Sequence, residues 1–96
     1  MNHFTVVWHK DAEDELANVW VEAARVNQEN SVTAAADLIE KLLREAPHVH
    51  GQHISEGLWK IYRHPLKVYF SVNEPDWIVR ASNLCLIPPE EQDRSG

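Results

Sequence analysis

The sequence predicts an α+β fold of β-α-α-β-β-β order, a helical hairpin packed on one face of a small, mostly antiparallel sheet. Three observations predict it. Residues 58–86 alternate β-branched or aromatic residues with polar ones at near period two, broken twice by turn-forming residues, which reads as three successive strands. Upstream, two segments repeat apolar residues at three- and four-residue spacing, the mark of amphipathic helices. A short apolar run precedes both. A meander of three strands leaves one face to be covered, and the paired helices supply the cover.

Taken in order, residues 4–8 form the first strand, with Phe4, Val6 and Trp8 on one face and Thr5 and Val7 on the other. Residues 11–26 form the first helix. Its stripe is Ala12, Leu16, Val19, Trp20 and Ala23, and Asp11, Glu13, Asp14 and Glu15 crowd the first turn, where the helix dipole favours acids. Asn30 or Ser31 is the expected cap of the second helix. That helix runs over residues 32–46, with Val32, Ala35, Ala36, Ile39, Leu42, Leu43 and Ala46 on one side, and stops at Pro47. Alanines at the facing positions let the two helices approach closely. Residues 48–55 read as a polar connection. His64-Pro65 and Asn73-Glu74-Pro75-Asp76 mark the two turns of the meander. The pairing of the first strand, central or parallel, is left open by composition. The folded unit spans residues 1–87, and residues 88–96, with two prolines and then mostly polar and acidic residues, read as a mobile tail.

Composition narrows the function. The 96 residues carry a net charge of −6, so no overall field steers the chain to nucleic acid, and any basic patch must be local. No apolar run approaches the roughly 20 residues of a membrane span, and the N-terminus lacks a signal-peptide pattern. The expected setting is cytoplasmic, with no membrane association. The single cysteine, Cys85, rules out an internal disulfide and, flanked by Leu84 and Leu86, is expected to be buried. Three glycines leave no phosphate-binding loop, and no cofactor is expected. His48, His50 and His53 are closely spaced, but no CxxC or HExxH arrangement accompanies them, and no metal is expected. Histidine is a common general base, but neither His9 nor His64 sits at a fixed spacing from a nucleophile.

The best local patch is basic: Lys60, Arg63, Lys67 and Arg80, in or beside the meander strands. Cutting RNA needs cations against phosphate and a group to take the 2′-OH proton. Contact with an acidic protein segment needs only the cations. Trp8 and Trp20 fit the core stripes. Trp59 and Trp77 suit a sheet edge or interface, where an amphipathic ring tolerates both sides.

With these residues in order, the chain resembles the RelE/ParE superfamily, toxins of type II toxin–antitoxin modules also labelled plasmid stabilisation proteins. The features that carry the likeness are Val7-Trp8-His9-Lys10-Asp11-Ala12-Glu13-Asp14-Glu15-Leu16, then Trp20, then Ala34 to Leu43 followed by Pro47 and Gly51, then Leu58 and Lys67-Val68-Tyr69-Phe70-Ser71-Val72. They span residues 4–86, and the match is nearest to the ParE-like side. The resemblance implies a toxin that acts by protein binding, with DNA gyrase as target and a cognate antitoxin as partner. The alternative it implies is a ribosome-dependent mRNA endoribonuclease that uses Lys60, Arg63, Lys67 and Arg80 as catalytic candidates. A third reading is a non-toxic, protein-binding member of the same fold. The expected partner-binding residues are Trp59, Lys60, Arg63, Lys67, Trp77 and Arg80, and a homodimer is a further way for so small a chain to bury area. One stretch departs from the family pattern: Leu84-Cys85-Leu86-Ile87-Pro88-Pro89 followed by acids, where many toxins end in basic residues.

Overall fold

A computed structural model describes residues 3–87. The expected tail, residues 88–96, lies outside the described residues. The element order is β1 (Thr5–Trp8), α1 (Lys10–Ala24), α2 (Glu29–Glu45), α3 (Pro47–His50), β2 (Gln52–Ser55), β3 (Leu58–Arg63), β4 (Leu66–Asn73) and β5 (Ile78–Leu86). The strands form one sheet in the order β1-β5-β4-β3-β2. All pairings are antiparallel except that of β1, which lies at an edge parallel to β5. A parallel neighbour requires a long crossover, and the helical hairpin is that crossover. The predicted hairpin-on-sheet architecture is therefore the one observed.

Two expectations are corrected along the way. Residues 48–55 are not a plain connection: Pro47 both ends α2 and opens the short helix α3, a position where its missing N–H costs nothing, and β2 follows as a second edge strand. The second helix begins three residues earlier than expected, with Gln28 rather than Asn30 or Ser31 at its N-cap and no side-chain cap bond. The first helix is capped by His9, whose Nδ1 accepts a hydrogen bond from the Asp11 amide at 3.2 Å.

The core lies between hairpin and sheet. From the helices come Ala12, Ala23, Val32, Ala35, Ala36, Ile39 and Leu43, and from the sheet Ile61, Leu66, Val68, Phe70, Val79, Ala81 and Leu84. Phe70, Ile39, Leu43, Ile61 and Leu66 are fully buried, and each such aliphatic or aromatic side chain stabilises the fold by about 1.5–3 kcal/mol. On β4 the inward residues alternate without a slip. On β5 they run Val79, Ala81, then Leu84, because the register shifts opposite Tyr69 and Phe70. Such a bulge moves the following residues to the other phase. Cys85 consequently points outward and is exposed, which corrects the buried position expected from its leucine neighbours. Trp20 is corrected too: it is 44% exposed, with its indole N–H donated to Thr33 Oγ1 across the helical hairpin at 3.2 Å. Trp8 does pack against the core, and its indole donates to Glu40 Oε1 at 2.8 Å.

Because β1 is only four residues long, it pairs β5 from Ile78 to Ala81 and no further. The rest of β5 is an edge on that side. Glu15 of α1 reaches it, and its Oε1 accepts the Leu84 amide at 2.9 Å. The first turn of α1 holds only Asp11 and Glu13 of the four expected acids, and Glu15, one turn further on, serves the sheet instead of the helix dipole.

Candidate functional site

Alternation along the central strands sorts the candidate residues between two faces. Ile61, Val68 and Leu84 are paired neighbours on the face that the helices cover. Lys60 opposite Tyr69, and Tyr62 opposite Lys67 opposite Cys85, therefore occupy the open face. Lys60 and Lys67 stand on a diagonal of this ladder, about 7–8 Å between backbones, and the Lys67 ammonium lies 5.6 Å from the Tyr69 ring centre. Arg63 is at the end of β3, where its guanidinium turns back to donate to the Tyr62 carbonyl at 2.6 Å.

Lys60, Arg63 and Lys67 come together at a cleft of about 450 Å³ whose walls also include Tyr62. The cleft exists because β2 is short. Its first residue, Gln52, pairs with Lys60, so the backbone of Ile61 to Arg63 has no strand beside it on that side among the described residues. Gln52 and His50 form the wall where β2 stops, and Ile61 and Ile87, both buried, form the apolar floor. Three cations thus flank the end of β3 that β2 leaves uncovered, and none of the lining residues is acidic. This is a local reversal of sign in a chain of net charge −6. Uncovered strand backbone binds an extended chain through main-chain hydrogen bonds, and lysine and arginine beside it select one that carries carboxylates or phosphates.

The other candidates lie elsewhere. Arg80 pairs with Ser71 on β5, four residues along β4 from Lys67, which is about 13 Å of strand. It shares the open face but not the cleft. Trp59 shares the covered face with Phe70, and its ring packs between the rings of His48 and His53 at 5.0 and 5.1 Å and stacks on Phe70 at 6.4 Å. Trp77, at the β4–β5 turn, packs on Phe4 at 4.7 Å. Its backbone adopts a positive φ of 56°, held by its N–H to the Glu74 carbonyl and by its own carbonyl accepting the Thr5 amide. The His48, His50 and His53 set is split: two imidazoles flank Trp59 and the third lines the cleft. No group of three metal-ligating side chains occurs among the described residues. His50, Gln52 and Ile87 were absent from the sequence reading of the site. Recognising that β2 stops opposite Lys60 is the signal that finds the first two.

A second groove, of about 410 Å³, runs along the hairpin. It is lined by Trp8, Leu16, Trp20 and Ala36 and rimmed by Glu13, Asp37 and Glu40. No helix among the described residues is long and apolar enough to cross a membrane.

Comparison with protein-family models gives no match, and comparison with curated proteins gives none. Solved structures do match. A chain of the toxin–antitoxin complex RelBE2 from Mycobacterium tuberculosis aligns with a TM-score of 0.62 at 18% identity, over 90% of this chain and 93% of that one. A chain of the chromosomal ParDE TA system from P. aeruginosa aligns with a TM-score of 0.64 at 15% identity, over 88% of this chain and 97% of that one. At these identities the likeness is one of fold. The chain has the architecture of RelE/ParE-type proteins, a helical hairpin laid across a mostly antiparallel sheet.

Proposed function

We propose that this protein is the toxin component of a type II toxin–antitoxin module and that it acts in the ParE-like manner, by binding a protein rather than by cutting RNA. The fold shared with chains of the RelBE2 and ParDE systems supports the first half. One observation carries the second: the four basic residues that a nuclease would use do not converge. Lys60, Arg63 and Lys67 line one cleft, and the backbone of Arg80 stands about 13 Å along the sheet from that of Lys67, outside the cleft lining. Charge around an uncovered strand suits recognition of an acidic, extended protein segment, which asks for no proton transfer. On this reading the partners are a cognate antitoxin and a target of the DNA gyrase class.

The test is controlled expression in bacteria, followed by gyrase supercoiling and ribosome-dependent mRNA cleavage assays with purified protein. Growth arrest with supercoiling inhibited and mRNA intact supports the reading. Cleavage of mRNA that disappears in R80A replaces it with the endoribonuclease alternative. Growth unaffected, with the protein stably expressed, leaves a non-toxic binding protein of the same fold.

A further inference from the structure

The early end of β2 leaves one residue of β3 with its backbone turned into the cleft. The Leu84 amide points away from β4, to Glu15, so Leu84 and Val68 are a pair that exchanges no ladder bonds, and the adjacent pair, Cys85 with Lys67, is one that does. Lys67 therefore directs its N–H and C=O to β5. The bonded pairs between β3 and β4 are then Ile61 with Val68 and Arg63 with Leu66. Lys60 and Tyr62 face the other way. Lys60 has Gln52 of β2 opposite. Tyr62 has no strand opposite, and its N–H has no partner among the described residues. Its C=O accepts instead from the Arg63 guanidinium at 2.6 Å. An arginine side chain thus holds the acceptor that a neighbouring strand would take.

We propose that Arg63 is a displaceable latch on this edge: a partner segment of alternating apolar and acidic residues adds antiparallel to β3, in line with β2, takes the Tyr62 carbonyl for its own N–H, and draws the released guanidinium onto its acid. The proposal rests on the reading of the cleft as a site for an acidic extended segment and specifies that segment's order and direction. An antiparallel strand exchanges both bonds with one facing residue, and Tyr62 is the one residue that offers both. The side chain of the partner residue opposite Tyr62 stands on the open face. Lys60 is its diagonal neighbour there at about 7–8 Å, within reach of a long side chain. The residues on either side of it turn to the opposite face, toward the apolar floor of buried Ile61 and Ile87. The matching order is therefore apolar, acidic, apolar. The latch adds selection. A segment without the acid still displaces Arg63, but it supplies no anion to replace the bond the guanidinium loses.

The experiment uses the full chain and fluorescein-labelled peptides followed by anisotropy at low salt. Thr-Val-Glu-Val-Thr carries the matching order, and Thr-Val-Gln-Val-Thr removes only the charge. The acidic peptide is expected to bind wild type about tenfold more tightly than its glutamine twin. N-methylation of the central glutamate removes the N–H meant for the Tyr62 carbonyl and is expected to weaken binding about tenfold, whereas N-methylation of the valine before it, whose N–H points away from β3, changes it less than about threefold. R63A is expected to act in opposite directions, weakening the acidic peptide about fivefold and tightening the glutamine peptide about threefold, because the carbonyl is vacated. The Tyr62 amide resonance, followed by ¹H–¹⁵N NMR, is expected to move downfield on binding. Equal losses from the two N-methylations, or R63A weakening both peptides alike, overturn strand addition past a latch, while a retained preference for glutamate keeps the acidic-segment reading. Equal affinity for the two peptides, or binding of neither, overturns both.

Discussion

Gly51 offers the sharpest test of how the cleft wall is seated on the core. A Cβ placed there would stand 2.5 Å from Cζ of Phe70 and 2.9 Å from the carbonyl oxygen of Pro47, against an ordinary carbon contact of about 3.5–4.0 Å. The backbone itself is no obstacle, since φ −93° and ψ 169° are open to any residue. Neither neighbour can yield easily. Phe70 is fully buried, and the Pro47 carbonyl already accepts the Gly51 amide at 2.9 Å, closing α3. Gly51→Ala must therefore push a core ring or open the α3–β2 junction, an overpacking cost of about 2 kcal/mol. For a domain of this size that lowers Tm by about 8–16 °C, read by circular dichroism. Gly57 is the control. Its φ of +77° is left-handed and nothing lies within 4 Å of its Cβ position, so substitution there is limited by backbone strain alone. Asparagine, which tolerates this conformation, should be milder than alanine at position 57 and harsher than alanine at position 51. A G51A protein melting within about 2 °C of wild type would refute the packing of Gly51 over Phe70.

Four further outcomes follow. Glu15→Ala leaves the Leu84 amide without its acceptor at the half-buried edge of β5 and should cost about 1–2 kcal/mol in urea unfolding. Trp8→Phe keeps the ring against the core but loses the indole bond to Glu40, so its cost in the same assay should be about 1 kcal/mol. Lys60→Glu with Lys67→Glu should abolish binding of a fluorescein-labelled hexaglutamate peptide, read by anisotropy at low salt, because it reverses two of the three cations that line the cleft. Arg80→Glu should change peptide affinity by less than about threefold, since it lies outside the cleft.

The fold was legible where burial imposes a period, and the site was hidden where it does not. The two helical stripes and the alternation on β4 are written in apolar residues that the core demands, and they specify the hairpin and the central strands. By contrast, β2 has one apolar residue, Ile54, and all four of its residues are exposed. It is a strand only because Leu58, Trp59 and Lys60 lie beside it as pairing partners, and such a partnership leaves no periodic trace in its own sequence. The slip on β5 has the same character. Reading Leu84-Cys85-Leu86 as one buried run ignores alternation, and the bulge then decides which of the three points inward. Both hidden features shape the cleft. The stopping point of β2 exposes the edge beside Lys60 and Arg63, and the shifted phase of β5 carries Cys85 to the open face opposite Lys67 and leads the chain into the cleft at Ile87. Three cations named from sequence as a patch thus become a site through register, a property of pairs of strands that neither strand states alone.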